Sequence, residues 1–121
     1  MQNIQTKEKV ISQAIARYLR VSPFKVRRVV KAVKGQSVTD ALNVLRLLQH
    51  HTSARYLYKV IESAAANAKN NAAFSGELKV ENILVDQALI MKRFQPRSRG
   101  RAFPIKKRLS HIAVFLTEHK R

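Results

Sequence analysis

The chain has no cysteine and no tryptophan, and only three glycines, three prolines and seven acidic residues among its 121. Each scarcity excludes something. Without cysteine there is neither a disulfide framework nor a thiolate metal site. With glycine only at Gly35, Gly76 and Gly100, no glycine-rich loop can cradle a nucleotide phosphate. The acids Glu8, Asp40, Glu62, Glu77, Glu81, Asp86 and Glu118 are scattered. They form no converging carboxylate set for a metal-dependent nuclease, and no nucleophile–base pattern accompanies them. His50 and His51 are adjacent and point apart on a helix, and His111 and His119 lie far away, so no metal site is expected. No apolar run approaches the ~18 residues of a membrane span. The first eight residues, Met1-Gln2-Asn3-Ile4-Gln5-Thr6-Lys7-Glu8, hold no apolar signal-peptide core. The expectation is a soluble intracellular chain that is not an enzyme and carries no cofactor.

Positive charge is abundant. Lys and Arg number 24, for a formal net charge of +17. Such an excess says nothing of fold, but it points to a polyanionic partner, either a nucleic acid or an anionic membrane surface. The densest stretch is 91–108, with Lys92, Arg93, Arg97, Arg99, Arg101, Lys106, Lys107 and Arg108 and no acid. Two Phe (Phe94, Phe103), two Pro (Pro96, Pro104) and Gly100 punctuate it. Apolar, strand-like runs flank it on both sides. A run this basic must be solvated or neutralised by a polyanion. The punctuation suggests a shaped arm rather than a floppy tail.

Hydrophobic periodicity orders the rest. From about Val10 to Arg20, apolar and polar residues alternate loosely; a strand fits, and a short helix fits nearly as well. Ser22-Pro23 predicts a helix start, with Ser22 capping and Pro23 at the first helical position. Val26, Val29, Val30 and Val33 form an apolar stripe, Lys25, Arg27, Arg28, Lys31 and Lys34 occupy the other positions, and Gly35 closes the helix. Ser37 opens a second helix, with Asp40 three residues on. Its apolar face is Val38, Ala41, Leu42, Leu45 and Leu48. Thr52 or Ser53 caps a third, longer helix striped by Ala54, Leu57, Ile61, Ala64, Ala65, Ala68 and Ala72, whose small residues imply close approach to a neighbour. Strand patterns follow over 78–90 and 109–116, with Ile112, Val114 and Leu116 on one face.

The predicted architecture is α+β: a body of three helices and a three-stranded antiparallel sheet, with a long, projecting basic β-hairpin. One domain covers 1–121, and residues 86–110 form the hairpin arm. With its turn near Ser98-Arg99-Gly100, the arm from Asp86 spans roughly 40 Å at about 3.3 Å per residue. A body of this size is only about 25–30 Å across, so the arm should project.

Two surfaces are candidates for phosphate contact. On the arm, Arg and Lys can reach phosphates, while Arg planes and Phe rings can stack on bases. The plain alternative is a solvated cationic loop, against which Phe94 and Phe103 argue. The helix face of Lys25, Arg27, Arg28, Lys31 and Lys34 carries five bases and no acid, whereas solvated faces are usually mixed in sign. A membrane-surface helix would need bulky apolar residues opposite the cations, and this one offers Phe24 and valines. An architectural DNA-binding protein with a basic β-arm is the other competing class.

The run Met91-Lys92-Arg93-Phe94-Gln95-Pro96-Arg97-Ser98-Arg99-Gly100-Arg101-Ala102, followed by Ile105-Lys106-Lys107-Arg108-Leu109-Ser110-His111-Ile112, closely resembles the family of large-subunit ribosomal protein twenty-two. Ser22-Pro23 with Lys25-Val26-Arg27, Glu62-Ser63-Ala64 with Ala66-Asn67-Ala68, and Val85-Asp86 match it too, so that the resemblance spans about residues 9–117. It implies a body on the outer surface of the large ribosomal subunit and a hairpin threaded through ribosomal RNA to the wall of the nascent-peptide exit tunnel. It also implies a part in subunit assembly, neighbouring ribosomal proteins and the nascent peptide as further partners, and no homo-oligomer. The location it implies is a ribosome of the bacterial cytoplasm or plastid stroma. Taken together, the expected RNA-binding set is Ser22, Lys25, Arg27, Arg28, Lys31 and Lys34 on the body. On the arm it is Met91, Lys92, Arg93, Phe94, Pro96, Arg97, Ser98, Arg99, Gly100 and Arg101, with Lys106, Lys107, Arg108, Ser110 and His111 on the returning strand.

Overall fold

Six elements follow one another in the computed structural model: β1 (Val10–Leu19), α1 (Pro23–Val33), α2 (Val38–Leu47), α3 (Thr52–Asn70), β2 (Leu78–Pro96) and β3 (Ala102–Glu118). Residues 10–49, 51–71, 74, 76–96, 100 and 102–119 are described, with backbone alone for 93–96 and 102–106. The strands form one antiparallel sheet in the order β1-β3-β2. The α+β class, the three helices and the three-stranded antiparallel sheet are as expected.

The core lies between the helices and one face of the sheet. Val26 and Val33 of α1, Leu45 of α2, Leu57 and Ile61 of α3 and Val80, Ile112, Val114 and Leu116 of the sheet are all fully buried. Removing each such side chain from water contributes on the order of 1.5–3 kcal/mol. The valine stripe of α1 is entirely buried, as its 3.6-residue period requires. The alanines of α3 permit close approach to β1: Ser12 Oγ donates to the Ala64 carbonyl at 2.9 Å, and Asn67 Nδ2 to the Gln13 carbonyl at 3.0 Å. Val60 and Ser53 are also buried on α3 and were not in the predicted stripe. His50 and Ala72 lie outside the described residues.

Helix ends correct two expectations. Ser22 is the N-cap of α1 and is extended, but its side chain accepts no hydrogen bond from the helix. Its carbonyl takes the Val26 N–H at 3.2 Å instead. The N-cap of α3 is His51, not Thr52 or Ser53. The Thr52 hydroxyl instead accepts from Arg55 Nη2 at 3.3 Å. The other two ends are as read: Ser37 Oγ accepts from the Asp40 N–H at 3.2 Å, and Gly35 follows α1 at φ +85°. The turn after α1 also clasps the free edge of β2, since the Gly35 N–H donates to the Val80 carbonyl and the Val80 N–H to that of Gln36.

The strands run further into the basic stretch than the apolar pattern indicated, with pairing continuous from Ile90↔Arg108 to Pro96↔Ala102. The reason is physical. β1 makes its last pairing, Leu19↔Ser110, at the foot of this ribbon. Past that point only two strands pair, and Leu89, Ile90, Lys92, Lys107 and Arg108 are exposed among the described residues, so no buried face imposes apolar alternation on them. At the same level the register slips between Gln87 and Ile90, placing an extra residue in β2. Such a bulge bends a strand and sharpens its twist, so it re-aims the ribbon where it leaves the three-stranded sheet. Of the predicted turn, Arg97, Ser98, Arg99 and Arg101 lie outside the described residues, and Gly100 has φ +70°.

Candidate nucleic-acid interface

A cleft of about 860 Å³ opens where the start of α1, the start of α3 and the root of the β2–β3 ribbon meet. Its cationic lining comes from three places in the chain: Arg20 before α1, Lys25 and Arg28 on α1, and Lys107 and Arg108 on β3. Val21, Val29, Met91 and Leu109 form its apolar part. No carboxylate is among the described residues that line it.

Two helix N-termini add to the field. Ser22 and His51, the N-caps of α1 and α3, both line the cleft, together with Thr52 and Ser53. Neither first turn contains an acid. The partial positive charge of a helix start extends over about one turn and adds to that of nearby cations. Cationic side chains and two helix starts thus face one concavity, which suits it to hold phosphate oxygens.

The structure sorts the predicted residues. Lys25, Arg28, Lys31 and Lys34 are exposed along α1, and Lys25 and Arg28 reach the cleft. Ser22 lines it too. Arg27 is different: its Nη2 donates to the Val85 carbonyl at 2.8 Å, so it anchors α1 to β2. Lys107 and Arg108 are exposed at the ribbon's root, Met91 is half-buried and Lys92 is exposed. The side chains of Arg93, Phe94, Pro96 and Lys106 lie outside the described part.

Ser110 requires a correction. It is fully buried, and its hydroxyl donates to the Val21 carbonyl at 2.6 Å, so it has no surface to offer a ligand. His111 is half-buried on the sheet and engaged with Tyr18. Its Nδ1 accepts the Tyr18 N–H at 3.1 Å, and the two rings meet edge to face with centroids 4.8 Å apart. Tyr18 itself sits at φ +57°, in the register slip between Ala16 and Leu19. Away from the cleft, Arg46 donates to the Tyr58 hydroxyl at 3.0 Å, and this bond raises the pKa of the guanidinium further.

Sequence reading missed the cleft's other contributors. Arg20 and the His51-Thr52-Ser53 segment carry no local signature, and the register of β3 is needed to bring Arg108 beside α1. Phe24 was weighed only as a membrane anchor. Its spacing of three from Arg27 on a helix was the available signal.

The fold is a small α+β body whose sheet continues into a basic ribbon, with a cationic cleft at the junction. Residues 14–117 match the family described as ribosomal protein L22p/L17e, and the chain belongs to that family, which is structural and not enzymatic. Large ribosomal subunit protein uL22 of Thermus thermophilus is 49% identical over 108 residues, covering 88% of this chain and 95% of that one. Large ribosomal subunit protein uL22c of Chlorokybus atmophyticus is 43% identical over 109 residues, covering 89% and 91%. A third relative, large ribosomal subunit protein uL22 of Synechococcus sp. (strain JA-2-3B'a(2-13)), is 43% identical over 103 residues, covering 84% and 82%.

Proposed function

We propose that the chain is a structural component of the large ribosomal subunit, in a bacterial or plastid ribosome, and that it binds ribosomal RNA through the cleft, the exposed face of α1 and the basic ribbon. The carrying observation is the convergence of Arg20, Lys25, Arg28, Lys107 and Arg108 on one concavity with two helix starts. The body lies on the RNA, and residues 86–110 form an arm that carries the basic tip Arg97, Ser98, Arg99, Gly100 and Arg101 to the wall of the exit tunnel. There the tip sets the bore and charge past which the nascent peptide moves. Binding both surfaces at once ties RNA segments together, which is how the protein assists assembly. Neighbouring ribosomal proteins complete its surroundings, and no homo-oligomer is required.

The test is binding of the full chain to isolated large-subunit RNA across a salt series, with duplex DNA as competitor. Each phosphate contact contributes about 0.7–0.9 to the log–log salt slope. Replacing Lys25, Arg28, Lys107 and Arg108 together with Gln flattens the slope by roughly 3 on that scale. An unchanged slope removes the cleft from the interface. Equal competition by duplex DNA, with no co-sedimentation with the large subunit from lysate, favours the architectural DNA-binding alternative.

A further inference from the structure

Phe24, in the first turn of α1, is 62% exposed, and two guanidinium groups hold its ring. Arg27 Cζ lies 6.0 Å from the ring centroid and Arg108 Cζ 5.9 Å. Both distances are within cation–π range. The two arginines come from different elements. Arg27 is three residues on along α1 and fixed to the Val85 carbonyl. Arg108 stands on β3 opposite Ile90 and also lines the cationic cleft. An exposed aromatic ring is therefore steadied at the rim of a site built for phosphates.

We propose that Phe24, with Arg27 and Arg108, forms a stacking site for a single unpaired RNA base whose neighbouring phosphates lie in the cleft. The proposal rests on the RNA-binding reading and names the nucleotide conformation it selects. Bases within an A-form helix are stacked on each other and offer no free face, so only a looped-out or bulged base can meet the ring. Aromatic rings and guanidinium planes are the two protein surfaces on which such bases stack. Lys25, adjacent to Phe24, and Arg108, beside its ring, both line the cleft, so base and phosphate can be held together. Insertion into lipid would instead bury two guanidinium groups with the ring, which is unfavourable.

The test uses the full chain and two short RNA hairpins, one with a single bulged 2-aminopurine and one fully paired. On the bulged hairpin the wild type is expected to quench the 2-aminopurine. Phe24→Leu, which keeps an apolar side chain but removes the π face, should abolish the quenching and weaken bulged-hairpin binding about 5- to 150-fold. The salt slope and affinity for the paired hairpin should stay unchanged, and Phe24→Trp should restore both quenching and affinity. Circular dichroism and thermal melting establish that each variant is folded. Quenching that survives Phe24→Leu, or equal weakening on both hairpins, overturns the stacking site while leaving RNA binding intact. Failure of the wild type to bind either hairpin or large-subunit RNA overturns the parent reading, and this one with it.

Discussion

The buried Ser110 hydroxyl donates to the Val21 carbonyl at 2.6 Å, joining positions 89 residues apart. Ser110 is where β1 makes its last pairing with β3, and Val21 leads into α1. One hydrogen bond therefore ties the foot of the basic ribbon to the helix that carries the cationic face. It fixes the two walls of the cleft relative to one another.

Ser110→Ala removes the donor and leaves a carbonyl in a buried setting. The expected loss is about 1–3 kcal/mol in urea unfolding. RNA binding should keep its salt slope, because Ser110 contacts no phosphate. A flattened slope with unchanged stability would mean that Ser110 faces RNA after all.

Arg27 and Lys25 are two residues apart and carry the same charge, but they do different work. Arg27→Gln breaks the bond to the Val85 carbonyl and should cost about 1–2 kcal/mol of stability. Lys25→Gln should change stability by no more than about 0.5 kcal/mol, as expected for an exposed position. In RNA binding the order reverses, with Lys25→Gln flattening the salt slope more. Chemical denaturation and salt titration of the two variants side by side decide this.

Gly35 carries a backbone requirement without a packing one. At φ +85° an L side chain is strained, yet a Cβ there would meet no atom within 4 Å. Gly35→Ala should therefore cost about 1–2 kcal/mol from backbone strain alone. Its N–H bond to Val80 holds the free edge of β2, so hydrogen exchange at Gly35 and Val80 should accelerate together. Unchanged exchange would separate the turn from the strand edge.

Sequence periodicity made the body legible where one face meets the core. Val26, Val29, Val30 and Val33 specified α1, and Ile112, Val114 and Leu116 specified the inner face of β3. β1 was ambiguous because its inward residues, Ser12, Ala14 and Ala16, are small and only half-buried, which weakens the alternation. The ribbon's pairing was hidden because two strands without a core show no apolar period. Charge revealed the candidate surface but not its shape. The cleft depends on Arg20, His51 and Arg108 meeting across the fold, and no local pattern encodes that meeting. Charge also did not show that Arg27 is tied to the Val85 carbonyl.

The ribbon and the body should be separable in energy. Among the described residues, the buried core cluster runs up to Val85 on β2 and resumes at Ile112 on β3, with no member between them. Leu109 and Ser110 are buried just outside that cluster and must be kept. Replacing residues 89–108 with an Asn-Gly turn should leave a domain that melts cooperatively, since a two-residue turn of this type closes an antiparallel pair. Leu57→Ala, which deletes a fully buried side chain of α3, should instead cost about 2–5 kcal/mol. The shortened protein should still bind large-subunit RNA through Arg20, Lys25 and Arg28, with a salt slope smaller by the contribution of the lost ribbon cations. Ribosomes carrying it should assemble less efficiently, and those that form should respond differently to peptides that stall in the tunnel. Calorimetry of the shortened protein is the first check. Loss of its cooperative transition would show that the ribbon belongs to the folding unit, and that the two-part view of the molecule is wrong.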